Sequence, residues 1–204
     1  KNNFNFYVQN SNKIAKNDTE IKSSLQSELR SIFEIQSSFP LIKNKKNVVN
    51  TIEPRFSFRL NPGDMNKYTD LNRKINANNV FNINRLGLGD SYEAGKSLTL
   101  GLNYKSEKIG DINKYFEFKI AKVLRDVEEN RIPTNSTLNR KESNLFGSMN
   151  YKLSERFSLD YDFSLDNDFN TFEYNSLGFN FDNDKLFTKI NFVEENGTIG
   201  DANS

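Results

Sequence analysis

The sequence predicts an all-β protein: an antiparallel transmembrane β-barrel segment of about nine strands, forming an incomplete barrel. Apolar and polar residues alternate with period two through most of the chain, and successive side chains on a strand point to opposite faces. Most alternating segments reach about nine to eleven residues, which is the length of a tilted membrane strand. Short turns and long polar connections alternate between the segments, as they do in outer-membrane barrels.

The alternation locates the strands in chain order. Residues 23–39 carry Leu25, Leu29 and Phe33 on one face and mostly charged or amide side chains on the other. A shorter strand, 4–8, precedes them. The later strands repeat the same two faces and occupy residues 48–60, 98–104, 116–124, 145–153, 157–165, 177–181 and 186–192.

The connections differ in length in a regular way. Tight turns are expected at 155–156 and 182–184, and short connections at 40–46 and 106–113. Neighbouring strands joined in this way are antiparallel, with short turns at one end of the sheet and mostly long loops at the other. The longer polar connections are 9–21, 61–96, 126–142 and the somewhat shorter 166–171.

Composition excludes several classes of protein. The 28 Lys and Arg residues balance 27 Asp and Glu residues, so a strongly basic nucleic-acid binder is excluded and no nucleic-acid partner is expected. The chain has no Cys and no His, which removes disulfides, thiolate metal sites and the commonest general base. We therefore expect no enzyme activity, no catalytic residues, no metal and no cofactor. No apolar run approaches the roughly 18–20 residues of a membrane helix.

Two architectures fit the two-faced strands. In a soluble antiparallel sandwich, the apolar face packs against a core. In a transmembrane barrel, the apolar face meets lipid and the polar face lines a lumen. The strand lengths and the asymmetry of the connections favour the barrel. Charged residues on the polar faces suit a wet interior, although a solvated outer face also tolerates them.

Three segments carry motifs: residues 51–55 read Thr-Ile-Glu-Pro-Arg, residues 81–95 contain Asn84, Arg85, Glu93 and Gly95, and residues 138–159 run from a polar loop into a strand, a turn and a strand. These segments resemble the lipopolysaccharide (LPS) assembly protein family LptD, also called OstA. Residues 51–55, which contain Glu53 and Pro54, resemble a Leu-Glu-Pro-Arg segment of a family strand. Residues 138–159 resemble a loop, strand, turn and strand of the family. Between them, residues 81–95 resemble a family loop that leads into a strand, with Ser91 where an Arg is usual. The residues of this loop that match in place are Phe81, Asn84, Arg85, Asp90, Glu93 and Gly95.

The resemblance implies a role and a location. It implies that residues 1–204 are part of one barrel domain, with the N-terminal periplasmic jellyroll and the closing C-terminal strands outside this chain. The intact protein would lie in the cell outer membrane, in contact with membrane lipid. It would receive LPS from a periplasmic bridge and deliver it to the outer leaflet, with an LptE-like lipoprotein plugging the lumen. The alternatives are another outer-membrane barrel, such as a porin or a plugged transporter, and a soluble β-sandwich binding module.

The matching loop supplies the candidate site. We expect Asn84, Arg85, Asp90, Glu93 and Gly95 to shape this loop or to border the route of the lipid. Arg85 is suited to hold a carboxylate within the loop or a phosphate on the substrate. The alternative is an ordinary extracellular loop with Gly-rich turns. Glu53 and Pro54 mark the strand segment. Weaker candidates for binding an anion are Lys105, Lys119, Arg125 and Arg140.

Overall fold

The computed structural model describes residues 2–11, 15–17, 20–21, 28–89, 91–183 and 185–195, with side chains from residue 31 onward. The described part of the chain consists of strands joined by turns and loops, with one short 3-10 helix at Thr134–Ser136. In chain order the strands are β1 (Asn2–Ser11), β2 (Ala15–Asn17), β3 (Glu20–Ile21), β4 (Glu28–Ser38), β5 (Leu41–Lys45), β6 (Val48–Asn61), β7 (Gly95–Lys108), β8 (Tyr115–Arg125), β9 (Leu145–Ser154), β10 (Phe157–Leu165), β11 (Phe172–Asn183) and β12 (Leu186–Glu195).

Ten of the strands that the structure describes form one antiparallel sheet. The order is β1, β4, β6, β7, β8, β9, β10, β11 and β12, and β5 lies beside β6. Strands β2 and β3 form a separate pair. This confirms the all-β prediction. It also confirms the count of about nine strands, because β4 and β5 lie end to end along the same side of β6 and occupy one strand position in the sheet. Within the described residues the sheet does not close, since β1 and β12 each have one neighbour in it.

Residues 40–46 correct one sequence prediction. They were expected to form a short connection, but Leu41–Lys45 is strand β5, which continues along β6 where β4 stops. Two prolines explain the interruption, because proline has no backbone N–H to donate to a neighbouring strand. Pro40 lies in the break, and Pro54 lies opposite it, with its carbonyl accepting a hydrogen bond from the Phe39 N–H at 3.0 Å.

The other predicted strands agree with the alternation in position and differ mainly in length; residues 23–27 of the one expected at 23–39 lie outside the described residues, and the rest forms β4. The short strands β2 and β3 lie within 9–21, which was expected to be a connection. The strand expected at 157–165 has those bounds in the structure. The strand expected at 98–104 is longer and spans Gly95–Lys108, and the one expected at 177–181 spans Phe172–Asn183. The ends of β7 beyond 98–104 carry no large apolar residue, so the alternation alone underestimates its length. The added start of β11 contains Phe172 and Tyr174, which are out of phase with Leu177, Phe179 and Phe181.

The register shows which side chains share a face, because residues paired across antiparallel strands point to the same side. Phe58 pairs with Leu98, and Phe56 pairs with Leu100, on what we call the apolar face. This face is open in the described part of the chain, and Leu100 is 46% exposed. Its other exposed large side chains include Phe33, Ile52, Phe58, Leu102, Tyr151, Leu153, Leu177, Ile190 and Phe192.

The opposite, polar face is where the described hydrophobic core lies. We call residues 62–89, 91–94 and 126–144 the cap, because they pack against the polar faces of β8 and β9. The strands contribute Ala121, Val123 and Phe146 to this core. The cap contributes Met65, Ile75, Ala77, Val80, Phe81, Leu86, Leu88, Ala94, Ile132 and Leu138.

Arg131 joins the two segments of the cap. Its guanidinium binds Glu129 through Nε at 2.8 Å and Nη2 at 2.9 Å, and Nη1 donates to the Met65 carbonyl at 3.2 Å. The Tyr68 N–H donates to the carbonyl of Arg131 at 2.8 Å. The two loops therefore form one layer over the sheet.

The location of the core bears on the two architectures left open by the sequence. A soluble sandwich buries its apolar face, whereas this sheet leaves its apolar face open and covers part of its polar face. The polar face is therefore not uniformly wet, as a simple lumen lining would be. No helix in the described residues is long and apolar enough to cross a membrane.

Candidate functional site

The matching loop begins with a turn that Asn84 closes. The Asn84 side chain accepts a hydrogen bond from the Leu88 N–H at 3.1 Å and donates to the Leu88 carbonyl at 2.8 Å. Gly87 within the turn has a φ of 61°, a left-handed conformation that glycine adopts without steric cost. This turn directs the next residue, Arg85, toward the sheet.

Arg85 binds Glu93 with both arms of its guanidinium. Nε donates to Oε2 at 2.7 Å and Nη2 to Oε1 at 2.5 Å, which is the bidentate geometry of strong Arg–carboxylate pairs. Arg85 also donates to the hydroxyls of Thr99 at 2.9 Å and Ser97 at 3.1 Å, both on β7. Its side chain is 0% exposed. Arg85 thus holds the loop closed and attaches it to the sheet.

Two further arginines converge on the same region. Arg125 of β8 donates to the Glu93 carboxylate and to the Ala94 carbonyl. Arg59 of β6 has its Nη1 4.0 Å from Glu93 Oε2. The Glu93 carboxylate therefore attaches the cap to β6 and β8, and Arg85 attaches it to β7 between them.

Glu34 of β4 is the second carboxylate of the site. Its Oε1 accepts hydrogen bonds from Arg59 Nε at 2.7 Å and from the Ser57 hydroxyl at 2.8 Å. Arg59 also donates through Nη2 to the Asn82 carbonyl in the cap. We call the five charged residues the ionic cluster: Glu34, Arg59, Arg85, Glu93 and Arg125.

The ionic cluster carries an excess of positive charge, because three guanidiniums face two carboxylates. All five side chains are at most 6% exposed. Burial alone would raise the pKa of Glu93, but the charge and hydrogen bonds of Arg85, with the charges of Arg125 and Arg59, lower this pKa to about 2. Among the described residues, the buried Nη1 of Arg59 has no hydrogen-bond partner. Removing either carboxylate would therefore leave buried positive charge uncompensated.

Phe81 forms a second contact between cap and sheet. Its carbonyl accepts a hydrogen bond from Gln36 Nε2 at 2.6 Å, and the Arg55 guanidinium lies 4.3 Å from its ring centroid. A Cβ at Gly101 would lie only 2.8 Å from the ring of Phe81. The missing side chain at Gly101 is what lets the ring seat against β7.

The remaining candidates from the sequence have different surroundings. Gly95 opens β7 with a φ of 83°, and a Cβ there would approach the Arg125 guanidinium at 3.1 Å. Asp90 lies outside the residues that the structure describes. Glu53 contacts Asn103 at 3.5 Å and lines a cavity of about 160 Å3 with Arg55 and Phe81. Pro54 lies at the break between β4 and β5, so neither Glu53 nor Pro54 belongs to the ionic cluster.

Of the four weaker candidates, Arg125 belongs to the ionic cluster. Lys105 pairs with Glu107 at 2.6 Å and Lys119 pairs with Glu117 at 3.0 Å. Arg140 lies 3.8 Å from Glu173. The side chains of these three cations keep 21–48% of their surface exposed, unlike those of the cluster.

Sequence reasoning did not single out Glu34 and Arg59. Both belong to the charged faces of their strands, and they face each other in the register of β4 and β6. That register was the missing information, since the alternation gives the face of a residue but not its cross-strand partner. Once β4 and β6 are aligned in their register, the cross-strand pair of opposite charges identifies Glu34 and Arg59.

The comparisons with known proteins agree with the resemblance. A family model described as LPS transport system D, LptD, matches residues 4–197. No curated protein matches this chain. The matched range includes all strands from β4 to β12, the cap and the whole ionic cluster. The family's description is one of LPS transport, so it favours neither a porin nor a soluble binding module.

Proposed function

The chain belongs to the LPS transport system D family, and on that premise we propose that it is part of an outer-membrane β-barrel that delivers LPS to the outer leaflet. Residues 1–204 belong to one barrel domain in this proposal, and further strands of the intact protein continue the sheet beyond β1 and β12. A periplasmic jellyroll domain of that protein takes LPS from the periplasmic bridge, and an LptE-like lipoprotein occupies the lumen.

The single observation that carries the proposal is the open apolar face. A sheet that leaves Leu100, Ile190 and Phe192 exposed while covering its polar face is inverted relative to a soluble fold. Lipid accounts for this inversion, because a membrane barrel turns its apolar side chains outward and its polar ones inward. An apolar surface of this extent in water would instead favour aggregation.

Aromatic side chains support the same orientation. Tyr104 and Phe116 have ring centroids 6.2 Å apart, and Phe116 and Tyr151 are 6.4 Å apart, in a row across β7, β8 and β9. The row lies on the apolar face, toward the short turns. Barrels carry aromatic girdles at the membrane interfaces, and their short turns face the periplasm. The cap then lies at the extracellular end of the lumen.

We assign the cap the role of a movable cover on the LPS route. The charged sugar and phosphate part of LPS needs the polar face, whereas its acyl chains leave toward lipid through a lateral opening. The docked cap occupies the polar face at Ser57 and Thr99, both 0% exposed. Passage of a large polar head group along this part of the lumen requires the cap to shift. Arg85 contributes by holding the cap closed, not by contacting the head group.

Locking the cap tests this role. The chain has no Cys, and Asn78 of the cap donates to the Ser148 hydroxyl of β9 at 3.4 Å. The full-length protein with Asn78→Cys and Ser148→Cys should form a disulfide or a short bismaleimide cross-link and lose LPS delivery, measured as surface LPS and as exclusion of large antibiotics. Reduction of the disulfide should restore both.

The single-cysteine variants are the controls, and barrel abundance is measured in parallel. Full delivery by a quantitatively cross-linked barrel would show that the cap does not move during transport. The proposal predicts normal abundance with blocked delivery.

Arg85→Ala tests the same role from the opposite direction. Loss of the bidentate pair with Glu93 should release the cap, which would make the outer membrane leaky to large antibiotics and impair ordered delivery. Lys67→Ala, an exposed change within the cap, should have little effect. A normal barrier and normal surface LPS in Arg85→Ala would assign residues 81–95 to a simple connection.

A further inference from the structure

Strand β5 contains lysines on the apolar face of the sheet. Leu41 pairs with Ile52 and Lys43 pairs with Asn50, so Leu41 and Lys43 share the face that carries Tyr104. Lys45 pairs with Val48 from one side, and Lys108 of β7 pairs with Val48 from the other. The border of the apolar face at the short-turn end therefore carries three cations.

A groove lies beside these lysines. It measures about 280 Å3 and is lined on its apolar side by Leu41, Ile52 and Tyr104 and at its border by Lys43 and Lys45. Leu41 is 65% exposed and Ile52 is 43% exposed. The groove exists because β4 breaks at its two facing prolines and β5 resumes beside β6 with its outer edge unpaired among the described residues.

The charges at this border are unbalanced. Among the described residues, Lys43, Lys45 and Lys108 have no ion-pair partner. In the adjacent turn, Asp111 is paired with Lys114 at 3.5 Å. At the opposite end of the apolar face, Lys122 is paired with Glu142 at 2.8 Å. The short-turn border thus combines an excess of positive charge with a neighbouring apolar groove.

From this combination we propose that the groove binds one anionic phospholipid of the leaflet at the short-turn end. Its phosphate lies against Lys43 and Lys45, and its acyl chain lies along Leu41 and Ile52. The Tyr104 hydroxyl, which donates to Asn50 Oδ1 at 3.0 Å, marks the boundary between the two parts. This inference rests on the proposed membrane location and adds a bound lipid of stated chemistry.

The groove has an apolar wall and a lysine wall, and the two together favour one kind of ligand. Inorganic phosphate would satisfy the lysines but leave the apolar wall in water, and a neutral lipid would fill the apolar wall but leave the lysines without counter-charge. Each cation close to an anionic membrane surface contributes about 1 kcal/mol to attraction, equivalent to about a fivefold change in affinity. An anionic phospholipid satisfies both walls.

Lipid retention tests the proposal on the full-length protein. The protein is reconstituted in nanodiscs of phosphatidylcholine with a minor share of phosphatidylglycerol, transferred to mild detergent, and its retained lipids are counted by native mass spectrometry. The combined change Lys43→Gln and Lys45→Gln should lower phosphatidylglycerol retention by about 25-fold, because each lysine accounts for about fivefold, without lowering phosphatidylcholine retention. The matched control, Lys67→Gln with Lys96→Gln, removes two exposed charges elsewhere and should change neither.

The outcomes separate this inference from the proposed function. Equal phosphatidylglycerol retention in the wild type and Lys43→Gln/Lys45→Gln, in a protein that inserts normally and delivers LPS, overturns the lipid site alone. The same holds if inorganic phosphate in large excess displaces the lipid completely, or if another strand of the protein covers β5. A protein that does not insert into nanodiscs contradicts the lipid site and the membrane location together.

Discussion

Strands β6–β8 and β10–β12 share the same alternation but differ in what meets their polar faces. Over β6–β8 the cap buries Arg59, Arg85 and Arg125 with their carboxylates. Toward the short-turn end of β10 and β11 the polar side chains bind one another, as Asn180 Nδ2 does with Asp160 Oδ2 at 3.1 Å and Ser158 Oγ at 3.3 Å. The cap reaches the other end of these strands, where Asn144 donates to Ser164 Oγ at 3.0 Å and to Glu173 Oε2 at 2.7 Å. An alternating strand therefore determines which residues share a face, whereas the adjacent loop determines whether that face is wet.

This difference has energetic consequences. A half-exposed polar contact contributes little, because water replaces it readily. A buried charge whose partner is removed retains its full desolvation cost, so the same chemical change is far more damaging under the cap. The predictions below compare matched changes in the two regions or on the two faces.

The largest effect is expected at Glu93. Among the described residues, Glu93→Gln leaves Arg59, Arg85 and Arg125 with Glu34 as their one remaining carboxylate, and we expect it to destabilise the docked cap by about 3–5 kcal/mol. Hydrogen exchange of the amides in 62–89 of the full-length protein, which should accelerate strongly, measures the effect. The matched change Asp160→Asn, toward the short-turn end of β10 where the polar side chains bind one another, should cost no more than about 1 kcal/mol. Similar effects of both changes would remove the distinction between the regions.

The second-largest effect is expected when a charged side chain is placed on the apolar face. Leu100→Arg should cost about 2–4 kcal/mol of folding into a bilayer if Leu100 lies near the membrane midplane. Asn103→Arg, on the polar face of the same strand and close to Glu53, should cost little. Denaturant titrations of folding into lipid vesicles measure both. Equal costs would contradict a lipid-facing apolar surface.

Gly101 and Gly147 each lie under an aromatic ring, one on the polar face and one on the apolar face of the sheet. A Cβ at Gly101 meets the ring of Phe81 at 2.8 Å, and a Cβ at Gly147 meets the ring of Phe163 at 2.0 Å. Phe81 is fixed by Gln36 and Arg55, so Gly101→Ala should loosen the cap at a cost of about 1–3 kcal/mol. Gly147→Ala should disturb the apolar face but leave hydrogen exchange of the cap unchanged. Equal loosening of the cap by the two variants would show that the Phe81 contact is not specific.

The smallest effect is expected from pH near neutrality. Because the pKa of Glu93 falls from an ordinary 4.5 to about 2 in the folded protein, its contribution to stability is fully present above pH 4.5 and is lost as pH falls through about 2. Cap protection should therefore stay constant between pH 7 and 5 and decline below pH 4.5. Glu93→Gln should flatten that decline, and a midpoint near pH 6 would assign it to another group.

The sequence predicted the strands because alternation is a local property. It located β10 to the residue and identified the apolar face through Phe58, Leu98 and Leu100. It missed β5, because Pro40 interrupts the pattern and Lys43 and Lys45 stand where apolar residues would mark that face. A search for alternating apolar and polar residues does not detect such a strand, although its backbone still pairs with β6.

The candidate site was predictable in part. The chemistry of Arg85 pointed to a carboxylate or a phosphate, and the structure supplies the carboxylate of Glu93 eight residues later. The cap residues show no regular alternation of apolar and polar residues, so the sequence did not indicate that the cap folds against the polar face. Glu34 and Arg59 are 25 residues apart and meet only through the register of β4 and β6.

Cross-linking of the cap in cells tests the central claim, that the cap folds against the polar face of the sheet. Full-length protein with Asn78→Cys and Ser148→Cys should cross-link efficiently with a short bismaleimide reagent. The matched pair Asn78→Cys and Leu100→Cys, which joins the cap to the apolar face, should not. Efficient linkage to position 100, or none to position 148 in a correctly assembled barrel, would contradict the account.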